Sequence, residues 1–132
     1  MAAAYLRRMG RLYRFRGYGN PCGRFWFIGI EERGDGIVEE LRVRLKYREV
    51  EDLLYSQSPE IWGHSKLWQD FNPDRLIPTW SAMIRFVLRL NGDPEWKDPE
   101  RIRKYQKESL GKLDGETFLA DILPLPKPSD AY

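Results

Sequence analysis

A chain of 132 residues is long enough for one domain with a buried core, and 32% charged residues of both signs indicate a globular chain with a polar surface. No apolar run approaches the roughly 20 residues of a membrane-spanning helix, which excludes that class of protein. The single cysteine, Cys22, and the single histidine, His64, exclude an internal disulfide, a four-thiolate cluster and a site with several histidines. We therefore expect no metal and no cofactor, and we expect Cys22 to be a small packing residue.

The N-terminal segment, residues 1–18, is basic. Apolar residues come first and arginines follow, the reverse of the order in a signal peptide, so we expect a cytoplasmic location. The first 24 positions hold six arginines and no acid, whereas 16 basic and 20 acidic residues share the rest. Arg11, Arg14 and Arg16 interleave with aromatic rings, which is typical of contacts with nucleic-acid phosphates and bases. The alternative interpretation is a solvated helix whose arginines spread over its surface.

The first elements follow from local patterns. Residues 3–15 are predicted to form a short helix, and residues 17–23 form a turn-rich connector with three glycines. Residues 25–30 are aromatic and β-branched without alternation, which predicts a strand buried on both faces. A charged, glycine-containing loop is predicted to follow at residues 31–36.

The middle of the chain is less clearly patterned. Residues 37–54 fit a strand or a helix, and the spacing of apolar residues and the order of charges favour a helix. Residues 55–78 are predicted to form a long loop with short turns, and loops of this length often carry function. His64 and Trp68 lie in it, where rings of this kind either stack on a base or close a small hydrophobic cluster.

Two helices follow with clear boundaries. Thr79 is predicted to cap a helix whose apolar stripe within residues 80–88 packs in the core, and Asn91 ends it. The second helix begins with Asp98 as N-cap and Pro99 in its first turn. Its mostly polar composition predicts a position on the surface.

The C-terminal part completes a layered fold. A strand is predicted for residues 117–123, and the proline-rich tail of residues 124–129 is predicted to continue neither a strand nor a helix. The order of strands and helices predicts an α/β fold with a central, mainly parallel sheet.

The candidate site lies at the strand ends. Ligands of α/β folds sit beyond the carboxyl ends of parallel strands, which here are followed by residues 29–36 and 121–129. Gly29 allows a ligand to approach the backbone closely. A carboxylate after it, Glu31 or Glu32, can orient a water molecule or stabilise a developing cation. A polar loop that solvates the strand end is the alternative interpretation.

The first of these segments resembles the uracil-DNA glycosylase superfamily. In that superfamily a Gly-Asn-Pro turn, here residues 19–21, leads into an apolar strand, and a motif written GQDPY, GINPG or GEAPG follows. Aligned with GQDPY and GINPG, Glu31 takes the place of the Asp or Asn that positions the attacking water, and Glu32 takes that of the proline. The glutamate of GEAPG falls on Ile30. The resemblance implies that Glu31 and Glu32 are catalytic and that Gly29 and Ile30 contact the base.

The last segment also resembles this superfamily. Its central strand ends in an asparagine that hydrogen-bonds the flipped base, often followed by Pro-Leu-Pro-like residues. Asp121 stands near the asparagine and Pro124 begins the proline segment, so the resemblance implies that both bind the substrate. Because aspartate lacks the amide donor, it does not imply specificity for uracil. The Phe-Ile-Gly-x-Glu-Glu strand end and the Leu-Pro-Leu-Pro tail are similar to those of uncharacterised bacterial members.

The resemblance implies one domain over residues 1–132, with a three-layer α/β/α, uracil-DNA glycosylase-like fold. It also implies binding of DNA and hydrolysis of the N-glycosidic bond of a damaged base. The superfamily continues with a further strand and a His-Pro-Ser loop after the point where this sequence stops, so we expect an incomplete fold. The alternatives are a glycosylase-like scaffold that binds nucleic acid without hydrolysis, and a subunit whose partner or second copy completes the sheet at an exposed last strand.

Overall fold

Four strands form one mixed sheet in the computed structural model, which describes residues 2–34, 38–62 and 72–128. The strands are β1 (Gly17–Gly19), β2 (Phe25–Gly34), β3 (Val50–Glu51) and β4 (Thr117–Pro128). Their order is β2-β4-β1-β3, with β2 parallel to β4, β1 parallel to β3, and β1 antiparallel to β4. The predicted α/β class and mainly parallel sheet are confirmed.

The helices of the described residues are α1 (Ala2–Tyr13), α2 (Val38–Arg44), α3 (Leu53–Ser56), α4 (Pro59–Trp62), α5 (Pro78–Leu90) and α6 (Pro99–Glu108). The helix interpretation of residues 37–54 is right only at its start, because the chain leaves α2 after Arg44 and enters β3. The predicted loop of residues 55–78 contains the end of α3 and all of α4. Asp52 caps the first of them, since its side chain accepts a hydrogen bond of 3.0 Å from the Tyr55 N–H.

The core lies between the sheet and α5 and α6. Ile84, Val87 and Leu88 of α5 are fully buried, as the predicted apolar stripe requires. The helix begins differently from the prediction: Ile77, not Thr79, is the N-cap, and no side chain caps the helix. Pro78 at the first helical position explains this, because its fixed φ suits the helix and its missing N–H needs no partner.

The α6 helix lies at the surface, as its polar composition predicted, but one of its faces is buried. Asp98 caps it as predicted, accepting from the Arg101 N–H at 2.8 Å. However, Ile102, Tyr105 and Gln106 are buried at i, i+3 and i+4. Gln106 is satisfied in the core because its amide donates to the carbonyls of Pro73 and Arg75 at 3.1 and 2.9 Å. A narrow buried stripe is thus hidden in an otherwise polar helix.

The strand β1 lies within the predicted connector. Gly17 and Gly19 have φ values of 143° and 98°, and a Cβ on either would overlap a carbonyl oxygen of β4. Glycine is therefore needed for both the backbone conformation and the close approach of β4. Tyr18 between them is buried. Cys22 in the turn that follows is exposed, so its predicted packing role is wrong.

The strand β2 is not buried on both faces. Phe25 and Phe27 lie against Phe86 of α5, with ring centroids 6.4 and 6.2 Å apart. The residues between and after them point the other way, and Trp26 and Ile28 are 52% and 61% exposed. The strand also continues to Gly34, where a loop was predicted.

The strand β4 continues to Pro128, so the prediction that the tail ends the strand is wrong. Pro124 has the parity of Glu116, whose carbonyl faces β2 and accepts from the Phe25 N–H at 3.0 Å, so the donor that this proline lacks is missing on the side of β2. The register of β2 against β4 shifts between Glu31 and Arg33, opposite the segment that holds Pro124 and Pro126. On the other side, β1 pairs with β4 only at Phe118 and Leu119. The sheet order makes β2, not β4, an edge strand.

Burial of Tyr105 predicts a loss of stability at high pH. Burial, and then the hydrogen bond of 2.8 Å that its hydroxyl donates to Glu116, raise the pKa of Tyr105. The folded state therefore holds this proton more tightly than the unfolded chain. The contribution is complete below the unfolded pKa of about 10 and is lost as the pH rises above it toward the folded pKa.

We therefore expect Tyr105→Phe to lower the free energy of unfolding by about 1 kcal/mol near neutral pH and by less above about pH 10. Urea unfolding of both proteins across that range measures the difference. Tyr5→Phe is the control, because Tyr5 is 64% exposed and its substitution should change the free energy of unfolding little. A difference for Tyr105→Phe that stays constant with pH would contradict the assignment.

Candidate functional site at the carboxyl ends of two strands

The two segments of the candidate site lie side by side. Gly29 of β2 pairs in register with Asp121 of β4, and Glu31 pairs with Leu123. The parallel direction of the two strands brings both carboxyl ends to the same edge of the sheet. The structure thus places the predicted segments together, while their role as a site stays a prediction.

Gly29 and Asp121 are in direct contact. A Cβ added to Gly29 would overlap Oδ1 of Asp121, although the backbone of Gly29 is not in the left-handed region. The Asp121 carboxylate occupies the position that a side chain at residue 29 would take, so any larger residue there would require this carboxylate to move. Asp121 is only partly buried. Its carboxylate can accept several hydrogen bonds and donates none when ionised.

The other predicted site residues are placed unequally. Glu31 and Glu32 belong to β2, and the register shifts between Glu31 and Arg33. Ile30 is 73% exposed, and Pro124 continues β4. His64 and Trp68, which were predicted to contact the substrate, lie outside the described residues.

A groove opens on the face of the sheet that carries Trp26. Trp26 and Phe118 are register partners on β2 and β4, and their ring centroids are 5.0 Å apart. The groove has a volume of about 430 Å³, within the usual range of ligand sites. We call it the aromatic groove, and its lining residues are Tyr13, Phe15, Arg16, Trp26, Phe118, Ala120, Asp121 and Ile122.

One of the N-terminal arginines lines this groove, and a second is close to it in the chain. Arg16 lines it, and Arg14 stands in the chain between the lining residues Tyr13 and Phe15. Arg11, Arg14 and Arg16 are all exposed. The backbone at Arg16 is fixed, because its N–H donates to the carbonyl of Glu49 at 2.7 Å. A cation whose backbone is held beside exposed rings suits an anionic, aromatic ligand.

The wall of the groove at Phe15 is supported from the core. The Phe15 ring lies 5.0 Å from that of Tyr18 and 5.3 Å from that of Tyr47. The buried Arg44 guanidinium lies 5.8 Å from the Phe15 ring and donates to the Tyr18 hydroxyl at 2.9 Å. Phe15 is therefore held by packing on several sides, and the groove is preformed on that side.

Sequence reasoning found only part of this groove. The alternation of arginines with rings indicated Tyr13 and Phe15 as contact residues. Trp26 was assigned to a strand buried on both faces, and Phe118 carried no signal. Their partnership depends on the register of β2 against β4, which no local pattern encodes.

A second cleft, of about 650 Å³, is less suited to a charged ligand. Its charged side chains are Lys46, Arg48, Glu51, Asp52 and Lys112. Most of them already pair with one another, Arg48 with Glu51 at 3.1 Å and Lys112 with Asp52 at 3.2 Å. The Arg48–Glu51 hydrogen bond raises the pKa of Arg48. A ligand would have to displace these pairs.

The described part of the chain contains neither a metal-binding cluster nor a membrane-spanning helix. No group of three His, Cys, Asp or Glu side chains there could hold a metal ion. Within the same residues, no helix has the length and apolar character to cross a membrane.

No protein-family model, no curated protein and no solved structure matches this chain.

The contact between Gly29 and Asp121 makes a prediction about stability. We expect Gly29→Ala to lower the free energy of unfolding by up to about 1 kcal/mol, because the new methyl group displaces the partly buried Asp121 carboxylate from its position. In an Asp121→Ala background the overlap is gone and the same change should cost much less. Urea unfolding of the single and double variants measures this coupling.

Gly10→Ala is the control for this experiment. Nothing lies within 4 Å of a Cβ added at Gly10, which is in α1. This substitution should stabilise the protein slightly, since alanine favours helix by about 1 kcal/mol over glycine. Additive effects of Gly29→Ala and Asp121→Ala would show that the two residues do not touch as described.

Proposed function

We propose that this protein binds nucleic acid, with its N-terminal arginines on the phosphates and the aromatic groove beside them on the bases. The observation that carries the proposal is Arg16, which belongs both to the basic segment and to the wall of the aromatic groove. Positive charge supplies most of the affinity for a polyanion, and exposed rings supply stacking surfaces for bases.

The proposal includes a uracil-DNA glycosylase-like scaffold with three layers. Its support is the sequence resemblance at both strand ends, together with helices on either side of the sheet. Phe86 of α5 packs on one face at Phe25 and Phe27, and α1 contacts β4 and contributes Tyr13 to the groove on the other. A glycosylase-like protein that kept this scaffold would present its site at the carboxyl ends of β2 and β4.

We further propose that the strand-end site hydrolyses the N-glycosidic bond of a damaged base. The pairing of Gly29 with Asp121, with Glu31 two positions further along β2, favours this second function. In the proposed reaction water attacks C1′ of the sugar, the C1′–N bond breaks, and its electron pair leaves with the base. Glu31 takes the proton of the attacking water, and the departing base gains a proton from solvent. The Asp121 carboxylate would accept hydrogen bonds from donor groups on the base edge.

The role of the arginines is tested by neutralising three of them together. The variant Arg11→Gln/Arg14→Gln/Arg16→Gln should bind a labelled oligonucleotide at least about tenfold more weakly at low salt. Its plot of log K against log salt should be shallower by about 2–3, since each lost phosphate contact removes about 0.7–0.9 from the slope. Fluorescence anisotropy at several salt concentrations measures both quantities.

The control variant is Arg75→Gln/Arg85→Gln/Lys104→Gln. It removes the same charge from exposed positions on the part of the molecule built by α5 and α6. It should bind almost as tightly as the unchanged protein. Equal losses in the two variants would mean that binding follows net charge alone, and the proposed interface would then be wrong.

Hydrolysis is tested on oligonucleotides that carry uracil, hypoxanthine or xanthine, in duplex and single-stranded form. Alkali then breaks the strand at any abasic position, and gel electrophoresis detects the fragments. Glu31→Gln should reduce cleavage by about 10²-fold or more while binding persists, because the general base is lost. Glu32→Gln is the neighbouring comparison. If no substrate is cleaved, the hydrolase proposal is wrong and only the binding proposal stands.

A further inference from the structure

The sheet exposes an apolar surface beside the N-terminal arginines. On the face of β2 and β4 that does not contact α5, Trp26, Ile28, Ile30 and Ile122 are 52%, 61%, 73% and 70% exposed. Contiguous large apolar side chains in water are unfavourable and mark a surface that binds a partner or ligand. The aromatic groove forms the end of this surface nearest α1.

The charge around the groove indicates which kind of partner fits. Arg16 lines the groove together with one acidic residue, Asp121, and the first 24 residues hold five further arginines, Arg14 among them, and no acid. A second copy docked on this surface about a twofold axis would bring two sets of arginines together, and such like-charge contacts are costly. A polyanion with apolar, flat groups satisfies both the charge and the rings.

The rings favour an unpaired strand over a duplex. Trp26 and Phe118 lie 5.0 Å apart with their planes inclined at 56°, and Trp26 remains half exposed. A ring can stack only on a base whose face is accessible, and in a duplex the neighbouring base pairs cover those faces. The groove, at about 430 Å³, has room for a base and part of its sugar.

The apolar part of the lining favours DNA over RNA. A sugar placed against Ala120 and Ile122 would find no side-chain partner for a 2′-hydroxyl, because the polar side chains of the groove belong to Tyr13, Arg16 and Asp121. Burying a hydroxyl without a hydrogen bond is unfavourable, so a ribose would be penalised where a deoxyribose is not.

We propose that the aromatic groove holds an unpaired base of single-stranded DNA against Trp26, with the adjoining phosphates at Arg14 and Arg16. This inference rests on the proposed nucleic-acid binding and specifies its ligand. It assigns to Trp26 a stacking role that is separate from the strand-end carboxylates.

The test compares three labelled oligonucleotides of one mixed sequence: single-stranded DNA, the same DNA as a duplex, and single-stranded RNA. Fluorescence anisotropy should show the tightest binding to single-stranded DNA. Trp26→Ala should weaken that binding by about tenfold or more and leave the slope against salt unchanged, because the phosphate contacts remain. Trp26→Phe should retain most of the affinity.

Two further variants separate stacking from a general loss of structure. Tyr13→Ala, at the rim of the groove and 59% exposed, should also weaken binding to single-stranded DNA. Tyr55→Ala removes a ring that is 46% exposed and outside the aromatic groove, and it should have no effect. Circular dichroism of each variant verifies the fold, and Tyr13→Ala decides the test if Trp26→Ala does not fold.

The outcomes distinguish this inference from the binding proposal. Equal affinity for duplex and single strand, unchanged by Trp26→Ala but reduced by the arginine variant, would overturn the inference and leave nucleic-acid binding intact. Tighter binding of RNA would overturn the choice of DNA. Self-association that Trp26→Ala abolishes, without an effect on DNA binding, would assign the surface to a second copy. If no oligonucleotide binds, both proposals fail.

Discussion

The parallel pairing of β2 with β4 is the constraint on which the rest of the structure depends. It extends from Phe25 and Thr117 to Gly34 and Pro128, the longest pairing in the described sheet. Two adjacent parallel strands cannot be joined by a tight turn, so the chain between them must cross over one face of the sheet. The helices α5 and α6 lie in this crossover and bury their apolar stripes. The core forms because the crossover brings these helices against one face of the sheet.

The crossover covers one face and leaves the other to α1. Phe25 and Phe27 meet α5, while Trp26, one position on from Phe25, faces the opposite side and is half exposed. This arrangement follows from the geometry of a strand, because successive side chains alternate between the two faces of the sheet. The exposed rings and the arginines after α1 therefore come together through the register of the sheet.

Local sequence patterns predicted the elements whose structure depends only on residues that are close in sequence. The stripe of α5 and the cap at Asp98 need only their own segments, and both were found. The strand β1 was missed because glycine in a sequence usually indicates a turn. Its glycines are required here by the close approach of β4, which the local sequence does not show. The extension of β4 through its prolines was missed for the same kind of reason: the tail is a strand only because β2 lies beside it. The prediction that residues 29–36 and 121–129 lie at the same edge needed only the rule that adjacent parallel strands end at the same edge of a sheet.

The separation of the two faces also constrains any mechanism. Asp121 has the parity of Leu119, a core residue, and its carboxylate lies over Gly29. Asp121 also lines the aromatic groove, next to Ala120 and Ile122. The proposed stacking on Trp26 and the proposed hydrolysis at the strand ends therefore depend on different side chains that lie close together. A substitution at Trp26 or at Glu31 can then test one proposal without removing the residue on which the other depends.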